Sequence, residues 1–191
     1  MLVAVAVVLS GCATGDGNNQ GATTTSPAAA EAPASPWDVP LEQRPALFDP
    51  CEEIPIEAIE EAIGGQVERD EDIHHHRPEE LYTCSWSNDE VRFIMTGTWM
   101  SRQEFVGDQK FETLDSGAVV HGRSSLWLAP KVGSERDDCF HVFFTERGAV
   151  VGHMSLKTSL REFQGQRISR ACDVYESTIE PLIGYLPEGD F

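Results

Sequence analysis

CFHVFFTERGAVVGHMSL, residues 139–156, decides the fold. Two runs rich in Phe and Val flank Thr145-Glu146-Arg147-Gly148, and a glycine there suits the positive φ of a tight turn, so the stretch predicts an antiparallel hairpin. Upstream, YTCSW (82–86) alternates Tyr82, Cys84 and Trp86 on one face. After the polar turn Ser87-Asn88-Asp89-Glu90, VRFIMTGTW (91–99) alternates Val91, Phe93 and Met95, which predicts a second hairpin. GAVVHGRSSLWLA (117–129) is apolar enough for one or two further strands.

Helices flank this β-rich centre. In IPIEAIEEAIGG (54–65), Ile56, Ile59 and Ile63 fall at i, i+3 and i+7, with Pro55 suited to the first turn and Gly64-Gly65 as a stop. No Ser or Thr caps that helix in the sequence. Near the end, Ile168, Cys172, Tyr175, Ile179, Leu182 and Leu186 mark one face of a long helix, which Pro181 should bend or end. Helix, antiparallel strands, helix predicts an α+β fold: an antiparallel β-sheet with an N-terminal and a C-terminal helix packed on it.

The chain of 191 residues carries a formal net charge of −18, from 14 basic and 32 acidic residues. Such a surface repels phosphate backbones, so nucleic acid is excluded as a partner. Anionic lipid headgroups are repelled too, and membrane attachment requires something other than basic residues.

The first residues supply it. Leu2 to Leu9 is too short to cross a bilayer, which takes about 20 apolar residues, and matches the h-region of a secretory signal. Leu9-Ser10-Gly11-Cys12 resembles a bacterial lipobox, whose cysteine receives a diacylglycerol before cleavage; Cys12 is then the lipidation site and the first mature residue. The first basic residue is Arg44, so the natural start is expected upstream of Met1. Residues 13–43 hold almost nothing to bury, and disorder follows from their composition. The expected organisation is therefore a signal peptide (1–11), a lipidated tether (12–44) and one domain (45–191). Trp37 is the tether's large apolar residue, able to touch the domain edge or the membrane.

Removing Cys12 leaves Cys51, Cys84, Cys139 and Cys172, an even number in an exported chain, which predicts two disulfides. Three pairings are open; we favour Cys51–Cys84 and Cys139–Cys172, because each ties a helix terminus to a nearby strand. A Cys₄ zinc site is disfavoured by the absence of any C-x₂₋₄-C spacing.

Three short stretches carry a family likeness: Asp49-Pro50-Cys51 within ALFDPCEEI, Cys84-Ser85-Trp86 within YTCSW, and Ala171-Cys172-Asp173 within RACDVYESTIEPLIGYLP. Together, behind a lipobox, they resemble the actinobacterial envelope lipoproteins grouped as domain-of-unknown-function family 3558, over roughly residues 46–187. The resemblance implies export, a lipid anchor and the cysteine framework. It implies no catalytic residue and no cofactor.

Other clusters carry groups capable of chemistry. DEDIHHHRPEE (70–80) sets three histidines among five carboxylates, and in an extended segment His74 and His76 project to one side, making them weak metal candidates or a pH-responsive patch. His121, His141 and His153 lie in or beside predicted strands, where a hydrogen-bonded structural role is expected. Ser124 and Ser125 lack a G-x-S-x-G context. The pairs Glu60-Glu61 and Asp137-Asp138 could supply an acid and a base. Trp86, Trp99, Phe105, Trp127, Phe140, Phe143 and Phe144 fill a core by default, with Trp99 and Phe105 the better candidates for an apolar ligand cavity.

The function expected from sequence is a lipid-anchored, non-enzymatic accessory or binding module of the envelope, held to the membrane through acyl chains on Cys12 and facing envelope proteins or wall components. The alternatives are a carrier of an apolar ligand and a small envelope hydrolase using a carboxylate pair.

Overall fold

The protein is described by a computed structural model over residues 35–133, 136–157 and 162–191. Cys12, the expected signal peptide and most of the expected tether lie outside the described residues. In chain order the elements are α1 (Pro50–Glu53), α2 (Ile56–Ile63), β1 (Glu68–Arg69), β2 (His75–Arg77), β3 (Leu81–Ser87), β4 (Val91–Thr98), α3 (Arg102–Gly107), β5 (Phe111–Val120), β6 (Arg123–Pro130), β7 (Asp138–Thr145) and β8 (Gly148–Leu156). A small ribbon of β9 (Glu162–Phe163) and β10 (Gln166–Arg167) precedes α4 (Ala171–Ile179), which runs into a 3₁₀ turn, Glu180–Tyr185.

The expected α+β architecture is present. β1, β3, β4, β8, β7, β6 and β5 lie side by side in that order, all antiparallel, and β2 adds a second short partner to the free edge of β3. Both predicted hairpins form. β7 turns into β8 at Glu146-Arg147, with Gly148 at φ +101°, and β3 turns into β4 where the Asn88 side-chain oxygen accepts the Glu90 and Val91 N–H groups.

Strand alternation gives the sheet two unlike faces. Register places Cys84 beside Met95, Met95 beside Gly152, Gly152 beside His141 and His141 beside Trp127, one row across the face that α1, α2 and α4 cover. Phe48, Ile59, Ile63, Trp86, Phe93, Phe143, Met154 and Tyr175 fill the space between. On the reverse face Phe105, Leu126, Leu128, Val142, Phe144 and Ala149 form a second cluster under α3 and Trp37. β3 buries Thr83 and Ser85 as well as Cys84 and Trp86, where alternation alone predicts one buried face, and the Thr83 hydroxyl meets that of Thr96 in β4 at 3.1 Å.

Three local features differ from the expected outline. A short turn, α1, precedes the predicted first helix: Asp49 caps it through a hydrogen bond from the Cys51 N–H, and Ile54, held extended before Pro55, separates it from α2, which runs over Ile56–Ile63 as the apolar spacing predicts. Gly64, at φ +81°, ends α2 as expected. The long C-terminal helix is α-helical only over Ala171–Ile179, leaving Ile168 outside. Pro181 cannot donate to a carbonyl behind it, and the chain tightens to 3₁₀ while keeping Leu182 and Leu186 buried. α3 arises in a segment without an apolar period, where Ser101-x-x-Glu104 forms a full capping box.

Candidate functional site

Both cysteine pairings favoured from sequence are present. Cys51 of α1 joins Cys84 of β3, and Cys139 of β7 joins Cys172 of α4, with Cα separations of 5.3 and 5.0 Å. Each bridge fastens a helix to the covered face. Cys139–Cys172 is sealed in the core, whereas Cys51 sits at the sheet edge beneath β2.

The three histidines fold onto that edge. Ile73 and His74 close a turn on Asp70 and Glu71, and β2 then pairs His75 with Thr83 and His76 with Tyr82. His74 Nε2 stands 3.4 Å from Cys51 Sγ and its Nδ1 stands 3.4 Å from Glu71 Oε2. His76 packs its ring on Tyr82, centroids 4.5 Å apart, and reaches toward Asp49, Nδ1 to Oδ2 3.5 Å. Arg69 donates to the Cys51 carbonyl from the neighbouring strand. The two weak metal candidates therefore meet the same short turn through different partners: His74 faces a disulfide sulfur and His76 faces a capping carboxylate.

Among the described residues, ligand atoms of Cys139, His141 and Cys172 lie within 4.8 Å of one another. Both sulfurs are joined in a disulfide, so neither offers a thiolate to a cation. His141 has a structural setting. It is 3% exposed, its Nδ1 is 3.0 Å from Ser125 Oγ, and it lies between Trp127 and Tyr175. Burial lowers its pKa to about 4, so the ring is neutral. Burial likewise holds the Tyr175 phenol far above its ordinary pKa. Ser125 and His141 were not linked in the sequence; the register of β6 against β7 brings them together on the covered face.

His153 and His121 also have structural partners. His153 Nε2 is 2.8 Å from Asp138 Oδ1, and its ring stacks on Phe140 at 3.9 Å. Burial raises the Asp138 pKa, but hydrogen bonds from His153 and Ser155 outweigh it and leave the carboxyl below its usual range. His121, in the left-handed turn before Gly122, lies 2.8 Å from the Glu176 carbonyl. Glu60 and Glu61 are successive residues of α2 and so do not face each other.

The aromatic candidates divide. Trp86 and Phe143 are core. Trp99 packs edge-on against Trp37, centroids 5.1 Å apart, and Phe105 against Phe144 at 6.1 Å. Beside them an open cleft of about 330 Å³ is lined by Trp37, Phe144 and Phe191 with Ser101, Arg102 and Gln103. Arg102 lies over the Phe144 ring at 4.4 Å and donates to the Phe191 carbonyl.

The three sequence stretches that carry the family likeness thus surround the two bridges: Cys51 with Cys84, and Cys172 with the central strand β7. Residues 7–183 match the family model described as "Protein of unknown function (DUF3558)". The chain belongs to the DUF3558 family. No curated protein and no solved structure matches it. Within the DUF3558 match lie both disulfides, the Glu71–His74–Cys51 contacts and the Trp37 cleft wall, whereas Phe191 lies beyond it.

Proposed function

We propose that this DUF3558 member is an exported, lipid-anchored binding or accessory module of the cell envelope. The observation that carries the reading is the pair of disulfides, each fastening a helix to the sheet, a construction suited to an oxidising compartment. The lipobox-like Leu9-Ser10-Gly11-Cys12 supports the anchor, and acyl chains on Cys12 hold the domain at the outer face of the cytoplasmic membrane despite its charge of −18. Its partners are envelope proteins or wall components.

Intact-mass analysis of the chain purified from a bacterial membrane tests this. The expected result is diacylglycerol and fatty acid on Cys12, and loss of membrane association in Cys12→Ala. A soluble, unacylated chain with reduced cysteines overturns it. A second reading, a carrier of an apolar molecule, is favoured by the Trp37–Phe144–Phe191 cleft, whose volume falls at the low end of small-ligand sites. Native mass spectrometry of the same preparation should then show a co-purifying lipid that Phe144→Ala releases.

A further inference from the structure

The disulfide Cys51–Cys84 differs from Cys139–Cys172 in what touches it. Glu71 Oε2, His74 and Cys51 Sγ form a series, with 3.4 Å at each step. A carboxylate on one imidazole nitrogen fixes the tautomer, so that with Nδ1–H turned to Glu71 the lone pair of Nε2 faces the sulfur. That is the arrangement by which an enzyme thiol is activated. His74 keeps a side-chain exposure of 32%, and Cys51 is the more exposed residue of its bridge, 9% against 1% for Cys84. Cys139–Cys172 also has an imidazole near it, His141, but that ring is buried, neutral and bonded to Ser125.

We propose that Cys51–Cys84 is an exchangeable disulfide that passes two electrons between this chain and a dithiol or disulfide partner, with Cys51 as the attacking sulfur, His74 as its base and Glu71 as a positioning residue. In the reduced chain, His74 Nε2 takes the proton from Cys51. The Cys51 thiolate attacks one sulfur of the partner's disulfide; that S–S bond breaks, and the other partner sulfur leaves as a thiolate that receives the His74 proton. Cys84 then loses its proton and attacks the Cys51 sulfur of the mixed disulfide, closing Cys51–Cys84. The second partner sulfur leaves and takes up that proton. The partner gains two electrons and becomes two thiols, and the chain's two thiols become one disulfide. Run in reverse, a partner dithiol reopens the bridge. Cys84, buried in β3, serves as the resolving sulfur. The charged and titratable groups around His74 and Cys51 are Glu71 on Nδ1, Asp49 with His76 on the capped turn, Arg69 on the Cys51 carbonyl and Glu52 next in α1.

The inference goes beyond the envelope reading and does not depend on the lipid; acylation at Cys12 is scored separately by mass. The full chain is treated with graded dithiothreitol, blocked with iodoacetamide and mapped by peptide mass. Cys51 and Cys84 should open at a dithiothreitol concentration about ten-fold below that needed for Cys139–Cys172. The chain opened at that bridge is then mixed with oxidised glutathione. Near pH 6.5, His74→Ala and His74→Asn should slow closure about ten-fold and Glu71→Gln about three-fold; near pH 9.5, where a thiol ionises unaided, all should match the parent. Retention of a closed Cys139–Cys172 in each variant shows that it is folded. Bridges that open together, a Cys139–Cys172 that opens first, or His74 variants with the parent's rate at both pH values overturn the proposal.

Discussion

Tyr175 of α4 lies face to face with His141 of β7, ring centroids 5.0 Å apart and planes 17° apart, with Gly152 of β8 under its hydroxyl. The imidazole is thereby cut off from water and stays uncharged, with a pKa of about 4. In the unfolded chain the same ring protonates near its ordinary value of about 6.5. Between those pH values the unfolded state binds the extra proton, so stability is full above about pH 6.5, falls as pH drops to about 4 and levels off below. The loss is on the order of 3 kcal/mol. Urea unfolding at several pH values should show it, and His141→Phe, which cannot titrate, should flatten the slope while costing about 1 kcal/mol at neutral pH for the lost Ser125 contact. Asp138 acts in a different window: its lowered pKa contributes stability that is lost only as pH falls below the ordinary carboxylate range.

The contact between Tyr175 and Gly152 is a fit that a single methyl would spoil. A Cβ at Gly152 would run into the phenol, so Gly152→Ala should cost about 1–3 kcal/mol through overpacking. The hydroxyl has no hydrogen-bond partner among the described residues, and Tyr175→Phe should be neutral or stabilising. The double variant should recover part of the loss. A double-mutant cycle by urea denaturation reads the coupling; additive effects would show that the two groups do not meet.

How far the sequence reveals this arrangement depends on the range of each interaction. Local patterns were legible: the Gly148 turn, the alternation of β4, the Ile56-Ile59-Ile63 face and the Gly64 stop all act within one element. The cysteine pairing was legible because helix ends and strands offered few other partners. What failed to show was lateral register. Nothing near Ser125 announces His141, and nothing in DEDIHHHRPEE announces Cys51, since both contacts depend on which strands lie side by side. α3 is a different case, for its Ser101-x-x-Glu104 box is a local signal but no apolar period follows it.

Each disulfide closes a separation of 33 residues, for which the chain-entropy model gives about 3–4 kcal/mol. Cys51→Ala/Cys84→Ala should lose about that amount. Cys139→Ala/Cys172→Ala should lose about 1 kcal/mol more, because its sulfurs leave a void in the packed core. Guanidinium unfolding of the two double variants, side by side, measures the difference, and a smaller loss for the core bridge would contradict the packing described.

Composition places residues 35–44 in the tether, yet Trp37 is packed against Trp99 and Phe144, at 5.1 and 5.8 Å, and its Nε1–H donates to the Thr145 carbonyl at 3.0 Å. Arg44 lies over the Trp99 ring, 4.9 Å from its centroid, and donates to the Val39 carbonyl. Trp37 therefore caps the second apolar cluster, and removing its ring exposes Phe144 and leaves a backbone acceptor without its donor. Trp37→Ala should cost about 2–3 kcal/mol, counting partial burial of one aromatic ring and one hydrogen bond. Arg44→Ala should cost less than about 1 kcal/mol, because a half-exposed cation over a ring contributes little more. A chain trimmed to begin at residue 45 should lose at least as much as Trp37→Ala, whereas one trimmed to begin at residue 35 should unfold at the parent's urea midpoint. Equal midpoints for both trimmed chains would mean that Trp37 adds nothing to the domain, and its Thr145 hydrogen bond would then be a contact without stabilising weight.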